Sequence, residues 1–358
     1  MSNEVSLAYS LVVDKYRVRY EIYFYYIYPF SNGVHFCPEL LFPYEQNVKT
    51  EVLLETLVSV PLEMEKVENN IFISDFRGDS LLHCYNVSSG ETKYALPLGE
   101  GPDEFLSPIQ FFFQNEQMIV YNRWHYTLRY CSVYLPDFMI KSINRSISIS
   151  TDVDMVYPIS EDKWIASGRF ADSRFIIMDK DGNELSRCGD YPSYMDDEIK
   201  IPNFPKFMFH QSMFGFQKKI SRLVSVTGHV LELWNYYNND SLALHKRILL
   251  SPYSYEYKDG KHWAAAKAEN DVEKGVERIY CSDKYIYMLY NSNTHEMIAK
   301  KEDNLHSEIW VFDWNGTPVT KINVNRKITC FCVDEDESKI YCIMNAPNPS
   351  IGCFNFEV

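Results

Sequence analysis

The stretch 71-IFISDFRGDSLLHCY-85 contains the pattern that decides the fold: an apolar run, a polar turn and a second apolar run. The two runs, Ile71–Asp75 and Leu81–Tyr85, have the length of ordinary β-strands. The residues between them include glycine, aspartate and serine, which favour tight turns. The stretch therefore predicts an antiparallel pair of strands.

The same pattern recurs along the chain at spacings of roughly 45 to 65 residues, the range in which propeller blades fall. The six copies begin at Ile71, Met118, Trp164, Leu223, Ile286 and Ile340. Repeated four-stranded units without intervening helices predict an all-β fold, a six-bladed β-propeller. A seventh blade formed by residues 1–50 is the alternative.

Two further stretches, Asp179–Gly182 and Asp313–Gly316, share an Asp-x-x-Gly order with an apolar residue three positions after the glycine. Asp-Gly and Asn-Gly pairs are typical of tight hairpins because such turns require positive φ. The spacing around Asp179 also resembles a calcium loop, but its glycine is misplaced and the closing glutamate is missing. We therefore interpret both stretches as hairpin turns within blades.

Closure of the ring is predicted to use the N-terminal side of the propeller. The C-terminal unit offers only three strands, at Ile328–Val333, Ile340–Met344 and Ile351–Phe356. The apolar run Val52–Pro61 is expected to supply the fourth strand, which would hide the open edges of the sheet. We accordingly predict one propeller domain over residues 51–358, preceded by an N-terminal extension over residues 1–50.

Two segments fall outside the repeat. Tyr20–Phe30 is rich in tyrosine and is compatible with an extra strand, a covering flap or a poorly ordered leader. The segment Lys258–Val276 contains an alanine-rich run, Trp263–Glu269, whose composition predicts a short helix on a loop over one face of the ring.

Composition excludes several classes of function. The net charge of −14 argues against binding to nucleic-acid backbones, which requires a basic surface. No apolar run is long enough for a membrane span, and the N-terminus shows neither a secretory pattern nor a lipid-attachment cysteine. The nine cysteines include no Cys-x-x-Cys pair, so we interpret them as core residues rather than metal ligands. No cofactor and no metal site are predicted.

The stretch 98-LGEGPDEF-105 is the strongest local motif of the chain. It lacks the Lys-Ser/Thr of a phosphate loop and the third glycine of a dinucleotide fingerprint. Its acids lie on a turn without a partner base, so a catalytic role is not favoured. A structural corner explains the composition better.

In this corner, Gly99 and Gly101 are expected to allow positive φ, and Pro102 to begin a short helical turn. The acidic residues, Glu104 among them, would then favour the free amides of that turn. Phe105 is expected to fill a gap between neighbouring sheets.

With the six repeats, the G-x-G-P-x-E-F motif at Gly99–Phe105 resembles the TolB-like and NHL-like six-bladed propellers abundant in Bacteroidetes. In that family such a stretch follows an early blade. The resemblance covers roughly residues 50–358. It implies a protein of the periplasm or cell envelope, exported or lipid-anchored, whereas the absence of a visible export signal leaves a cytoplasmic location open.

A set of basic residues repeats at one position of the blades. Arg123 and Arg169 fall three residues after the last apolar position of the first run of their units, and His229 has the same offset. Arg77 comes one place later in the first unit. Equivalent positions project onto one face of a propeller, so a basic cluster is expected around one mouth of the channel. Its further candidate members are Trp124, His125 and Arg174.

Arginine forks suit carboxylate and phosphate ligands, so this cluster predicts an anion site. The alternative is that these are solvated loop residues. The aromatic residues in Tyr253–Tyr257 are compatible with a sugar platform or with a cover over a core. The histidines show no metal-binding spacing, and no serine lies in a nucleophile elbow.

Two functions of different classes remain. The favoured hypothesis is a non-enzymatic, monomeric binding or scaffold propeller that recognises a protein, a peptide or a small anionic or saccharide ligand on one face. The alternative is a glycan hydrolase or lyase with its site in the central channel. Acids and a histidine converging on the channel floor would favour the enzyme, whereas an aromatic or basic mouth would favour binding.

Overall fold

The computed structural model describes residues 40–358, with gaps at residues 57, 115–116, 135–138, 261–262, 302–305 and 345–347, and four strands in the residues before them. Those four pair as two hairpins: β1 (Tyr9–Asp14) with β2 (Arg17–Ile22), and β3 (Tyr25–Phe30) with β4 (Gly33–Pro38). The strands β5 (Tyr44–Val48) and β6 (Glu51–Glu55) follow.

Six antiparallel sheets form the blades of a propeller, each beginning with its innermost strand. Blade 1 contains β7 (Pro61–Val67), β8 (Asn70–Asp75), β9 (Ser80–Asn86) and β10 (Thr92–Pro97). Blade 2 contains β11 (Ile109–Gln114), β12 (Gln117–Asn122), β13 (Thr127–Tyr134) and β14 (Met139–Ser148). Blade 3 contains β15 (Val153–Pro158), β16 (Lys163–Gly168), β17 (Phe175–Asp179) and β18 (Glu184–Cys188).

Short helices and one hairpin are inserted around blade 4. A 3-10 helix (Glu198–Lys200) and α1 (Asn203–Phe209) precede blade 4, which contains β19 (Met213–Gln217), β20 (Arg222–Val226), β21 (Val230–Tyr237) and β22 (Ser241–Leu249). A second 3-10 helix (Lys218–Ile220) lies between β19 and β20. The hairpin β23 (Tyr255–Gly260) and β24 (Trp263–Ala268) follows blade 4.

Blades 5 and 6 complete the ring. Blade 5 contains β25 (Glu273–Cys281), β26 (Tyr285–Thr294), β27 (Ser307–Asp313) and β28 (Pro318–Val324), with α2 (His295–Lys300) between its second and third strands. Blade 6 contains β29 (Ile328–Asp334), β30 (Lys339–Met344) and β31 (Ser350–Asn355).

The six repeated apolar runs of the sequence are the second strands of the six blades. These strands, such as β8 and β12, are buried along almost their whole length because each is covered by the neighbouring blades on both faces. A strand covered on both faces has a continuous apolar run rather than an alternating one. The prediction of six blades is confirmed, and no seventh blade occurs in the described part of the chain, where β5 instead joins blade 5.

The ring is closed by the segment that contains β5 and β6. As predicted, β6 pairs antiparallel with β31 and supplies the fourth strand of blade 6. In addition, β5 pairs parallel with β28 as a fifth strand of blade 5. The Gln46 side chain fixes this arrangement, because its Nε2 donates to the Glu357 carbonyl oxygen at 2.7 Å and its Oε1 accepts from the Glu357 amide at 3.1 Å. The segment from β5 to β6, which we call the N-terminal clasp, thus holds the chain's C-terminal end.

The hairpin turns also form as predicted. The Asp179 carboxylate accepts from the amides of Asp181 and Asn183, and the Asp313 carboxylate accepts from those of Asn315 and Thr317. The glycines of both turns have positive φ. The two turns are therefore the same structure in blades 3 and 5.

The predicted helix in the alanine-rich segment is wrong. Trp263–Ala268 is the strand β24, which pairs with β23 over its whole length and packs against α1. Pairing and packing override the helix preference of alanine, because intrinsic propensity is a weak determinant beside tertiary contacts. The segment does lie between blades 4 and 5, as the repeat spacing predicts.

The corner Leu98–Phe105 connects the outer strand of blade 1 to blade 2. The Glu104 amide donates to the Gly101 carbonyl at 3.1 Å, which makes a β-turn rather than the predicted helical turn at Pro102. The Glu104 carboxylate accepts from the Gly101 amide at 2.8 Å and lies so close to Gly99 that a Cβ there would collide with it. Gly101 does not have the positive φ that was expected of it. The glycines thus make room for the carboxylate of Glu104.

Phe105 fills the gap between blades 1 and 2, as predicted, and is 1% exposed within a cluster that includes Phe72 and Val120. Sequence reasoning missed Arg129 on β13, whose guanidinium lies 4.0 Å from the Phe105 ring centroid. The Arg129 side chain donates to the carbonyl oxygen of Glu104 at 2.6 Å and to that of Pro102. Arg129 therefore holds the corner and the Phe105 ring together.

Loss of the clasp contact should be measurable. Gln46→Ala removes both hydrogen bonds to Glu357 and is expected to lower the free energy of unfolding by about 1 kcal/mol in urea denaturation. The neighbouring Glu45→Ala removes only an exposed pair with Lys321 and should change it by less than about 0.5 kcal/mol. Equal effects of the two substitutions would contradict the role of Gln46.

Loss of the Arg129 contacts should lower the free energy of unfolding by more than loss of the Gln46 contacts does. Arg129→Ala is expected to lower the free energy of unfolding by about 1–3 kcal/mol, because two carbonyl groups lose their charged donor and the Phe105 ring loses its cation. Arg187→Ala is the control, since Arg187 is an exposed arginine paired with Glu184 and Asp172. If urea denaturation gave the same small change for both variants, Arg129 would not hold the corner.

Candidate functional site

The strand order determines which side chains share a face of the ring. The loop after the second strand of each blade lies on the same face as the start of its first strand, because the two strands are antiparallel. We call this the mouth face. Arg77, Arg123, Arg169 and His229 follow β8, β12, β16 and β20, so the backbone carries all four towards the mouth face.

A central channel of about 610 Å³ opens among the innermost strands, and residues from all six blades line it. Phe76 and Arg123, from the mouth-face loops of blades 1 and 2, are part of its lining. The polar and charged residues of its interior include Glu63, Glu65, Gln110, Gln114, Tyr157, Arg278 and Tyr280. The site is therefore a polar channel whose rim carries an arginine and an aromatic ring.

Side chains inside the channel tie successive inner strands together. Glu63 of blade 1 accepts from the Phe111 amide at 3.3 Å and from the Gln110 Nε2 at 3.2 Å. Gln110 of blade 2 accepts in turn from the Val156 amide of blade 3 at 3.1 Å. Arg278 of blade 5 donates to the Pro61 carbonyl oxygen of blade 1 at 3.4 Å. These contacts satisfy backbone groups at the exposed edges of the inner strands.

The two channel glutamates have shifted acidities. Burial raises the pKa of Glu63 to about 7, although Gln110, the Phe111 amide and the Arg278 charge act in the opposite direction. Burial, together with the charge of Glu63, raises the pKa of Glu65 to about 7. Sequence reasoning missed both residues, because the alternating inner strand β7 gives no signal that distinguishes channel-facing acids from solvated ones.

Arg123 and Arg169 lie close to each other on the mouth face. Burial lowers the pKa of Arg123, and the neighbouring charge of Arg169 lowers it further. Arg123 forms an ion pair with Asp154. Arg169 donates to the Thr151 carbonyl oxygen at 2.6 Å and lies 3.8 Å from Asp152, with 43% of its side chain exposed. Arg123 is thus oriented by Asp154, whereas the Arg169 guanidinium is held by the Thr151 carbonyl oxygen.

Further exposed aromatic and basic residues lie on the same mouth-face loop as Arg123 and on the neighbouring loop of blade 1. Trp124 is 61% exposed and follows Arg123 directly, and the exposed His125 lies 3.3 Å from the Asn122 amide nitrogen. Arg77 is exposed on the neighbouring loop, next to Phe76. Phe76 was missed by sequence reasoning, although its position directly after the end of β8 marks it as a loop residue.

Arg174 does not join the exposed cluster. Its side chain is fully buried, forms an ion pair with Glu232 and donates to the hydroxyls of Ser212 and Ser225 at 3.1 Å. Glu232 also accepts from Arg247 at 2.6 Å. This buried network connects blade 3 to blade 4.

His229 does not join it either. Its ring stacks on Phe209 with centroids 5.6 Å apart, and its Nδ1 lies 2.9 Å from the Ser251 hydroxyl. Burial lowers the pKa of His229 to about 3, so the ring carries no charge near neutral pH. His229 therefore packs the inserted helix α1 against blade 4.

The tyrosines near residue 255 cover a core rather than forming an open platform. Tyr253 and Tyr255 are buried and donate to the Glu198 carboxylate at 2.9 Å and 3.0 Å. His210 lies 2.8 Å from the same carboxylate. Burial alone would raise the pKa of Glu198, but these donors and the Tyr194 amide lower it overall. Of the three tyrosines in this stretch, Tyr257 alone is exposed.

The described residues contain no group of three His, Cys, Asp or Glu side chains that could hold a metal ion. Among the described residues that line the channel, acids are present and histidine is absent. No helix in the described part of the chain is long and apolar enough to span a membrane.

Comparison with known proteins identifies the family. None of the curated proteins matches the sequence. A candidate exported protein of Bacteroides fragilis has a similar crystal structure, with a TM-score of 0.53 at 11% identity, covering 87% of this chain and 98% of that one. A member of the DUF4221 family from Bacteroides vulgatus gives a TM-score of 0.50 at 10% identity, covering 86% and 94%. These similarities concern the fold.

The family whose profile matches is described as TolB-like 6-blade propeller-like, and the match covers residues 41–336. The six blades and their closure by an N-terminal strand agree with that description. The chain belongs to the TolB-like six-bladed propeller family.

Proposed function

We propose that this protein is a non-enzymatic binding propeller that recognises an anionic group of a protein, peptide or small ligand on its mouth face. The binding residues are Arg123, Arg169 and Trp124, with Arg77 and His125 at the periphery. By analogy with the candidate exported protein of similar fold, we place this function outside the cytoplasm.

One observation carries the proposal: an exposed tryptophan lies beside two neighbouring arginines at the rim of an open channel. Trp124 and Arg123 come from the same loop, and Arg123 lines the channel itself. Tryptophan and arginine are the residue types that most often dominate the energy of binding interfaces. Arginine also presents a planar fork to carboxylate and phosphate groups.

The two arginines differ in how firmly each is paired with its acidic neighbour, and this difference determines which of them can exchange that neighbour for a ligand. The Arg169–Asp152 pair is long and exposed, so its replacement by a ligand carboxylate costs little. Asp154 is largely buried and keeps Arg123 oriented. We therefore assign Arg169 as the exchangeable contact and Arg123 as the oriented one.

A labelled hexaglutamate peptide is a suitable probe, read by fluorescence anisotropy at low salt. Arg169→Ala and Arg123→Ala are each expected to weaken its binding by about tenfold or more, since a charge-assisted hydrogen bond is lost. The double variant should abolish measurable binding. Arg187→Ala, an exposed arginine on an outer strand, should leave the affinity unchanged. Binding that survives in the double variant would contradict the proposed site.

A glycan hydrolase or lyase is the second candidate, favoured by the two channel glutamates whose pKa values lie near 7. Such acidities suit general acids. Against it, both oxygens of Glu63 already accept hydrogen bonds, and no histidine is present among the described lining residues.

Release of p-nitrophenol from a panel of p-nitrophenyl glycosides separates the two candidates. We expect the native protein to release p-nitrophenol no faster than the Glu65→Gln variant does. Turnover by the native protein that disappears in Glu65→Gln would establish the enzyme instead.

A further inference from the structure

Glu65 has a different environment from Glu63, although both lie on β7. They are two residues apart, so their side chains leave the same side of the strand. The mouth face is at the Pro61 end of β7, which places Glu65 farther from the mouth than Glu63. Glu63 accepts two hydrogen bonds, whereas no donor to Glu65 occurs among the described residues.

The neighbours of Glu65 bring no positive charge. Tyr157, Tyr280, Cys281 and Cys332, from blades 3, 5 and 6, lie close enough for the carboxylate to raise the pKa of each, and burial raises these pKa values further, so all four are neutral. The adjacent Lys66 pairs with Asp334 at 2.5 Å.

The basic residue Arg278 of the channel is directed elsewhere. Arg278 donates to the carbonyl oxygens of Glu277 and Pro61 and interacts electrostatically with Glu63. Glu63 is the described charge that acts on the Glu65 carboxylate, and the other basic residues of the lining are Arg123 at the mouth and the exposed Lys218 at the opposite end. Burial disfavours the charged form of this carboxylate, and a proton or a bound cation would offset that cost.

We propose that the inner end of the channel is a second binding site, which takes the ammonium group of a small organic amine with Glu65 as its counter-ion. Tyr157 of blade 3 and Tyr280 of blade 5 both line the channel and supply aromatic surface, and aromatic faces attract cations. The site is separate from the anion site on the mouth face and does not depend on it.

The surroundings favour an organic cation over a metal ion. The thiols of Cys281 and Cys332 have pKa values raised far above their usual range by burial, so they do not provide thiolate ligands. No group of three metal-ligating side chains is present in the described ranges. The cavity of about 610 Å³ instead leaves room for an amine with an apolar body.

The titration of the channel gives the proposal a pH signature. Glu65 and Glu63 both ionise near pH 7, whereas the facing tyrosines and cysteines remain neutral. The basic residues of this part of the channel are Arg278 and Lys218. An alkylammonium resembles the lysine side chain, whose pKa is about 10.4, and stays charged throughout. Binding should therefore strengthen as the pH rises through 7, because the proton leaves the carboxylate that the ammonium needs.

The experiment compares n-butylammonium with n-butanol, a neutral molecule of similar shape, in NMR titrations at pH 5.5 and pH 8. We expect n-butylammonium to bind at least about tenfold more tightly at pH 8 than at pH 5.5, and n-butanol to show no such dependence. Glu65→Gln should remove the preference for the amine. Glu91→Gln, which changes an exposed acid on the outer part of blade 1, should keep it.

A second variant separates a loss of amine binding from a loss of the folded structure. Tyr280→Leu keeps an apolar side chain in place and should weaken n-butylammonium several-fold while the carboxylate remains. The thermal unfolding of each variant is measured alongside. Retention of amine binding in Glu65→Gln, equal binding of n-butanol, or no binding of n-butylammonium at pH 8 would each overturn the proposal. The hexaglutamate titration is independent, so the two sites can fail separately.

Discussion

Pairing of β6 with β31 is the contact on which the rest of the structure depends, because it closes the ring and covers a strand edge that would otherwise be open. The same N-terminal segment adds β5 to blade 5, so one short stretch holds both of the last two blades. Once the ring is closed, the inner strands must satisfy the backbone groups at their edges. Glu63, Gln110 and Arg278 do so, and this places charged side chains inside a channel.

Sequence patterns predicted the repeated part of the fold because the second strand of every blade is buried on both faces and has a continuous apolar run. The corner at Leu98–Phe105 was also recognisable from the sequence. Its glycines leave space for the nearby Glu104 carboxylate, and Phe105 fills a gap between blades 1 and 2. Arg129 could not be found, because its partners are 24 or more residues away. The strand β24 was mistaken for a helix because its partners β23 and α1 outweigh the preference of alanine.

The candidate site was predictable only in outline. Equal offsets after repeated strands placed Arg123 and Arg169 towards one face, with Arg77 one place later. They could not show that the loop near His229 turns its side chain inwards beneath α1. The same offset therefore gives an exposed arginine in one blade and a neutral, buried histidine in another. The mouth thus carries fewer of the predicted charges than the repeat suggests, and the three predicted arginines that remain belong to blades 1 to 3. A ligand is expected to bind off-centre.

A crystal structure of the protein with hexaglutamate would show whether the mouth face is the binding site. We expect a carboxylate bound by the Arg169 guanidinium in place of Asp152, with the peptide packed against Trp124 and Asp154 still paired with Arg123. Peptide bound elsewhere, with the Arg169–Asp152 contact unchanged, would contradict the assignment of the mouth face as the binding site.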